Sequence, residues 1–341
     1  MRAEVVSMTS ENLDMDAIKK AGDILKKGGL VAFPTETVYG LGGNALDPQA
    51  SMKIYAAKGR PSDNPLIVHI AELDDLAKIT TEIPEGARIL AEKYWPGPLT
   101  MILPKADIVP KETTGGLDSV AIRFPSDRIA QELIRAAGGF VAAPSANTSG
   151  RPSPTMAEHV EEDLGDAIDM IIDGGQVGIG LESTIVDFTE DVPVVLRPGY
   201  ISLEMLQDTL GDVRMDRGLL ITDSSVHPKA PGMKYRHYAP NSECKLIYIK
   251  DEKERITYFN EHTSSDTVII GSSILSNISC KHFLNYGDTL PEISHNIFKL
   301  LREADTYKPS LILIEGVSKE GLGLAIMNRL IRSCSYNYLE R

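Results

Sequence analysis

An α/β architecture in two units, the larger built on a mixed sheet, is what this 341-residue chain predicts, and three observations predict it. Short apolar runs at 30–33, 66–70, 99–103, 120–124, 140–143, 170–172 and 184–188 alternate with amphipathic stretches, which is the rhythm of an α/β domain. Several of those runs follow one another with no room for a crossover helix, so some neighbours must pair antiparallel. The length exceeds what one hydrophobic core usually covers, and the texture of the chain changes near residue 211.

Each element has a local reason. A helix is expected over 16–27, because Ile18, Ala21, Ile24 and Leu25 recur at helical spacing, Asp14 or Asp16 can cap it, and Gly28-Gly29 stops it. The run 30–33 is a buried strand ended by Pro34, and 85–94 and 127–137 read as helices. Beyond 211 comes RGLLITDSSVHPKAPGMKYRHYAPNSE, rich in Pro and Gly and poor in periodicity, which predicts an extended linker over 211–242. A long ordered linker is usually functional. Strands at 245–249, 267–271 and 311–315, with helices at 293–305 and 322–333, then predict a second α/β domain over 243–341. The chemistry is sought in 1–210.

Composition excludes several classes. With 42% hydrophobic and 24% charged residues the chain is of ordinary globular type. No stretch approaches the roughly 20 apolar residues of a membrane span, and the opening MRAEVVSMTSENLDMD is too acidic for a signal peptide, so a cytoplasmic address is expected. Cys244, Cys280 and Cys334 are far apart and form no C-x-x-C pair, so structural thiols are expected and no protein-held metal site. A net charge of -13 repels nucleic acid at long range, leaving direct tRNA binding weak or absent. The P-loop, the three-glycine dinucleotide fingerprint, H-E-x-x-H and G-x-S-x-G are all missing.

What remains is less generic. FPTETVYGLGGNAL, 33–46, breaks from an apolar strand into hydroxyls, one glutamate and three glycines, where α/β sheets place ligands; the plainer reading is a capped turn. In KGRPSDN, Lys58, Arg60, Ser62 and Asn64 alternate, so an extended segment would aim two cations and two neutral donors at one anion; a solvated basic loop is the plainer reading. His69 lies in the strand LIVHI, where a lone histidine is usually a hydrogen-bonded core residue. Arg123 ends the strand SVAIRFP and needs a carboxylate partner from protein or substrate. APSANTSGRPSP offers Ser145, Asn147, Thr148 and Ser149 beside a glycine, while ESTIVD and LRPG put Ser183 and Arg197 at strand boundaries.

In combination, PTETVYGLG, the K-x-R and S-x-N pattern at 58–64, PSAN, STIVD and LRPG resemble the YrdC-like family. PGMKYRHYAP, 231–240, followed by a domain containing MNRLIRS, resembles its long two-domain threonylcarbamoyl-AMP synthases. The resemblance covers about residue 14 onward, with no departure at the motif positions. It implies a twisted mixed-sheet domain with a positively charged concave cleft, and a Rossmann-like second domain tied to it by a linker that reaches over the cleft. It also implies condensation of L-threonine, bicarbonate or carbon dioxide, and ATP with Mg2+, to threonylcarbamoyladenylate and pyrophosphate. Partner proteins of the tRNA transfer machinery would then use the product beside the anticodon.

By the same resemblance, Lys58 and Arg60 would stabilise the transferring phosphoryl group. Ser62, Asn64, Ser145 and Asn147 would bind ATP, and Arg197 and Tyr235 would close on it. Thr35, His69, Arg123 and Ser183 would bind threonine, with Arg123 on its carboxylate. The linker would exclude water from the product as a lid. An RNA-binding module without catalysis is the rival reading, disfavoured by the net charge. A carbamoyltransferase of the hydrogenase-maturation type shares the fold, but such chains resemble larger ones with cysteine pairs.

Overall fold

The computed structural model describes residues 2–216, 219 and 237–341. These divide into two compact units: one takes the described residues of 1–149, 153–178 and 182–234, the other those of 150–152, 179–181 and 235–341. Of the expected linker over 211–242, residues 217, 218 and 220–236 lie outside the described residues, Tyr235 among them.

The first unit runs β1 (Glu4–Ser7), α1 (Met15–Lys26), β2 (Val31–Phe33), β3 (Gly40–Asn44), α2 (Pro48–Lys58), β4 (Ile67–His69), α3 (Leu76–Ile79), α4 (Glu85–Tyr94), β5 (Leu99–Pro104) and β6 (Ser119–Arg123). It continues with α5 (Arg128–Ala136), β7 (Val141–Ala142), α6 (Ala157–Leu164), β8 (Met170–Asp173), β9 (Thr184–Asp187), β10 (Val194–Arg197), α7 (Leu203–Leu210) and β11 (Arg214–Met215). Its strands form one 11-stranded sheet in the order β1-β8-β2-β3-β7-β4-β6-β5-β9-β10-β11. The sheet is mixed: β4 runs parallel to β6 and antiparallel to β7, and β5 runs antiparallel to β6 and parallel to β9.

Local chemistry sets these elements. In α1, Asp14 accepts the Ala17 N–H at 2.9 Å as N-cap, and Ile18, Ala21 and Leu25 face the core. Helix α2 begins on the Asp47 cap with Pro48 in its first turn and ends at Gly59, whose φ of 60° is the left-handed turn glycine permits. The sequence pattern missed α2 because its buried face reads Ala50, Ser51, Ile54, Tyr55, Lys58: the spacing is helical, but two of the five are polar. Strand β3 also escaped detection, being Gly-Leu-Gly-Gly-Asn with little side chain to show a period.

The period of two along β4, β6 and β5 sorts the sheet's faces. Val68, Ile122 and Met101, one register row, belong to the main core. The adjacent row on the opposite face, Ile67, Ala121 and Ile102, joins Ile185 and Leu196 in a smaller apolar cluster.

The second unit runs β12 (Cys244–Tyr248), α8 (Glu252–His262), β13 (Thr267–Gly271), β14 (His282–Asn285), α9 (Leu290–Thr306), β15 (Leu311–Glu315), α10 (Leu322–Ser333) and β16 (Tyr338–Glu340). Its sheet, β14-β13-β15-β12-β16, is parallel throughout. Near-continuous apolar strands such as Thr267–Gly271 suit a sheet covered on both faces. A capping box from Thr289 and Glu292 starts α9 a turn before the expected 293. The alternation of runs predicts an α/β unit here, and the open, all-parallel sheet is consistent with the Rossmann-like fold that the resemblance implies.

Candidate active site

Strands β4, β6 and β5 set three polar side chains in one row: His69 pairs with Arg123, and Arg123 with Thr100. The row lies on the face that carries Ile67, Ala121 and Ile102 two residues away, so that face turns from apolar to polar at the carboxyl ends of β4 and β6. Ligands of α/β sheets bind at such ends.

All three are buried, and Arg123 is the charged one. Its Nη1 donates to Thr37 Oγ1 at 2.8 Å, and its Nη2 lies 2.8 Å from Glu36 Oε1. Thr37 and Thr35 share a hydroxyl contact of 2.9 Å, and Thr35 Oγ1 donates to the Val38 carbonyl at 2.7 Å. The loop between β2 and β3 is thus folded onto itself and onto the arginine. His69 Nδ1 lies 3.1 Å from the Ile67 carbonyl, and its ring meets Phe33 edge to face. Burial, and then the charge of Arg123, hold its pKa down to about 3, so it works as a neutral imidazole.

From Thr100 the network passes on through β9 and β10. Thr100 and Ser183 hydroxyls are 2.7 Å apart, and Arg197 donates to Ser183 from Nη2 at 3.2 Å and from Nε to its carbonyl at 3.0 Å. Beside Ser183, Glu182 accepts from the Ser153 hydroxyl at 2.5 Å. The structure therefore brings Thr35, Arg123 and His69 together, and joins Ser183 and Arg197 to them by way of Thr100.

Lys58, Arg60, Ser62 and Asn64 do not lie along one extended segment. Lys58 closes α2, the Arg60 N–H returns to the Tyr55 carbonyl, and the Asn64 N–H returns to Pro61, so the chain turns twice. The left-handed Gly59 fixes the helix end that makes those turns. Lys58, Arg60 and Asn64 are buried while Ser62 is exposed. Lys58 Nζ donates to the Ser145 and Asn147 carbonyls, each at 2.5 Å, and so anchors the loop carrying both residues. Arg60 donates to the carbonyls of Asn64 and Pro65 at 3.2 and 3.0 Å. Backbone bonds from Leu41 to Pro144 and from Ala146 to Tyr39, both 2.8 Å, tie that loop to the start of β3.

The glycines after Tyr39 serve packing. A Cβ at Gly42 would meet the Phe33 ring at 3.0 Å and the Val31 carbonyl at 3.1 Å, so β3 can approach β2 only without side chains. Sequence reasoning gave no role to Glu36, Thr37 or Thr100. A threonine inside the otherwise apolar LTMILP, two residues from Ile102, was the available signal for Thr100. Tyr235 lies outside the described residues. Among the described residues no group of three or more His, Cys, Asp or Glu is placed to hold a metal ion, and no helix is long and apolar enough to cross a membrane.

Against known proteins, a family described as telomere recombination matches residues 23–199, and one described as threonylcarbamoyl-AMP synthase, C-terminal domain, matches 201–335. The chain is 46% identical to the threonylcarbamoyl-AMP synthase of Pyrococcus abyssi over 98% of this chain and 99% of that one. To the Bacillus subtilis protein of the same name it is 43% identical, over 93% and 92% of the two chains. The structure of P. abyssi Sua5 complexed with L-threonine superposes with a TM-score of 0.92 at 45% identity, covering 100% of both chains. With both family descriptions matched in order and near full-length identity of this size, the chain belongs to the threonylcarbamoyl-AMP synthases, in their long two-domain form.

Proposed function

We propose that this chain condenses L-threonine, bicarbonate or carbon dioxide, and ATP to L-threonylcarbamoyladenylate and pyrophosphate, with water also released when bicarbonate is the carbon source. One observation carries the reading: a buried guanidinium, Arg123, stands at the carboxyl ends of β4 and β6 among the hydroxyls of Thr35, Thr37, Thr100 and Ser183, in a chain of this family. A planar cation with neutral hydroxyls around it suits a small hydroxy amino acid better than a nucleic-acid backbone.

In this reading Arg123 takes the threonine carboxylate through Nε, which has no hydrogen-bond partner among the described residues, together with the edge of Nη2. Thr35, neutral His69 and Ser183 contact its other polar groups. The carbamate oxygen attacks the α-phosphorus of ATP in line, and charge builds on the phosphoryl oxygens. Lys58 and Arg60 supply the fixed positive field there, while Ser62, Asn64, Ser145, Asn147 and Arg197 hold the nucleotide. Lys58 has a second task, since its bonds to the Ser145 and Asn147 carbonyls preset the nucleotide loop. Positioning of bound substrates supplies the rate gain without a covalent enzyme intermediate. The magnesium this reaction calls for would come with the nucleotide and offset the charge of its phosphates. The product passes to the tRNA transfer machinery of the cytoplasm.

The test is pyrophosphate release by purified protein with ATP, magnesium, labelled bicarbonate and each amino acid in turn. Release that requires both threonine and bicarbonate, with label in an adenylate, is the expected result. Release with neither, or none, overturns the reading.

A further inference from the structure

We propose that Glu36 is the ammonium-binding residue of this site, its carboxylate taking the α-ammonium of the amino-acid substrate while Arg123 takes the α-carboxylate. The inference deepens the synthase reading and rests on it.

Glu36 sits in the middle of the loop between β2 and β3, flanked by Thr35 and Thr37. Both of its carboxylate oxygens are shielded from solvent. Oε1 faces Arg123 Nη2 at 2.8 Å, whereas Oε2 meets no hydrogen-bond donor among the described residues. A carboxylate has about four lone-pair sites, and a buried one left half satisfied is costly, so such a group in a native site awaits a partner. Its neighbours cannot supply one as they stand. The Thr35 hydroxyl is turned to the Val38 carbonyl, and the Thr37 hydroxyl meets Thr35 and receives the Arg123 donor.

The local field favours a cation. Asp127, the N-cap of α5, is a second, half-buried carboxyl close enough to feel Glu36: burial raises its pKa from the ordinary value and the charge of Glu36 adds to the rise. Arg123 and Glu36 side by side also match an amino-acid zwitterion, which carries a carboxylate and an ammonium on one carbon. With the zwitterion in place the four charges alternate in sign. Without Glu36 the ammonium would enter a dry site beside a guanidinium with nothing to offset its desolvation.

The competing account gives Glu36 only the task of neutralising Arg123. The two differ in sign for the ligand that carries the ammonium, which loses affinity without Glu36 in the one account and gains it in the other, and a ligand lacking the ammonium is the reference. L-Threonine and its analogue with hydroxyl in place of the ammonium, 2,3-dihydroxybutanoate of matching configuration, are therefore titrated calorimetrically into full-length wild type and Glu36→Gln. Wild type is expected to prefer threonine by about thirtyfold, the scale of one charge-assisted contact, and Glu36→Gln by less than about threefold, with ATP affinity unchanged. A preference that survives the substitution, with both ligands gaining affinity at the unmasked arginine, overturns the proposal while leaving the synthase reading intact. Wild type that binds no threonine overturns both. If Glu36→Gln fails to fold, Glu36→Asp, with its carboxylate withdrawn by one methylene, is titrated in its place. A preference reduced at least threefold is then expected, and an undiminished one overturns the proposal.

Discussion

A histidine, an arginine and a threonine share one row of the sheet, yet water and charge treat them differently. Glu36 and Thr37 face Arg123, whereas His69, which has no carboxylate partner among the described residues, stays neutral to about pH 3. The folded pKa lies below the 6.5 of an exposed histidine, so between those values the unfolded chain binds the extra proton and stability falls as pH falls. Between pH 7.5 and 5.5 that loss is about 1.4 kcal/mol, and urea titrations should show wild type losing about that much more than His69→Gln. At Lys58 the expected result is a split: Lys58→Ala lowers pyrophosphate release by about a hundredfold and leaves threonine affinity within about threefold, read by steady-state kinetics and calorimetry. The sequence made Arg123 legible because an arginine ending an apolar strand demands a partner. It left that partner open, because a glutamate 87 positions earlier meets the arginine only through the pairing of β4, β7 and β3 that brings their strands together.

Helices and strands carry the site by where they end. Helix α2 delivers Lys58 on its last turn, and its end depends on Gly59 in a left-handed conformation with nothing among the described residues within 4 Å of a would-be Cβ. Gly59→Ala therefore meets no steric obstacle and costs only the conformational term, about 1 kcal/mol, seen as a lower unfolding midpoint. Because the helix end moves with it, the KM for ATP is expected to rise while that for threonine holds. Gly42→Ala is the contrast: its methyl would press on Phe33, Val141 and the Val31 carbonyl inside the sheet, and a loss of about 1–3 kcal/mol is expected by thermal denaturation. The strongly periodic elements, α1, α5 and the strands at β5 and β6, are readable from sequence because their apolar positions keep one period. Helix α2 is not, since Ser51 bonds Thr113 and Lys58 bonds two carbonyls in places where a pattern search expects hydrocarbon.

At the scale of the molecule, two α/β units and a net charge of -13 frame the function. So acidic a chain gains little from releasing counterions around RNA, and gel-shift titration with bare tRNA near physiological salt should show no band shift at micromolar protein, with or without ATP. That the chain forms two units was legible from length and texture. The strand order of the large sheet was not, because each of its interleavings, β8 between β1 and β2 or β7 between β3 and β4, joins residues far apart in sequence and leaves no local trace. The row His69–Arg123–Thr100 bears on how that order is enforced. A slip of one residue in β4, β6 or β5 would turn its polar member toward Val68, Ile122 and Met101 and send a core side chain the other way. A misthreaded sheet would thus bury a charge without its glutamate and lose hydrocarbon in the same movement. The residues proposed to receive the substrate would thereby also mark the correct strand register as the chain folds.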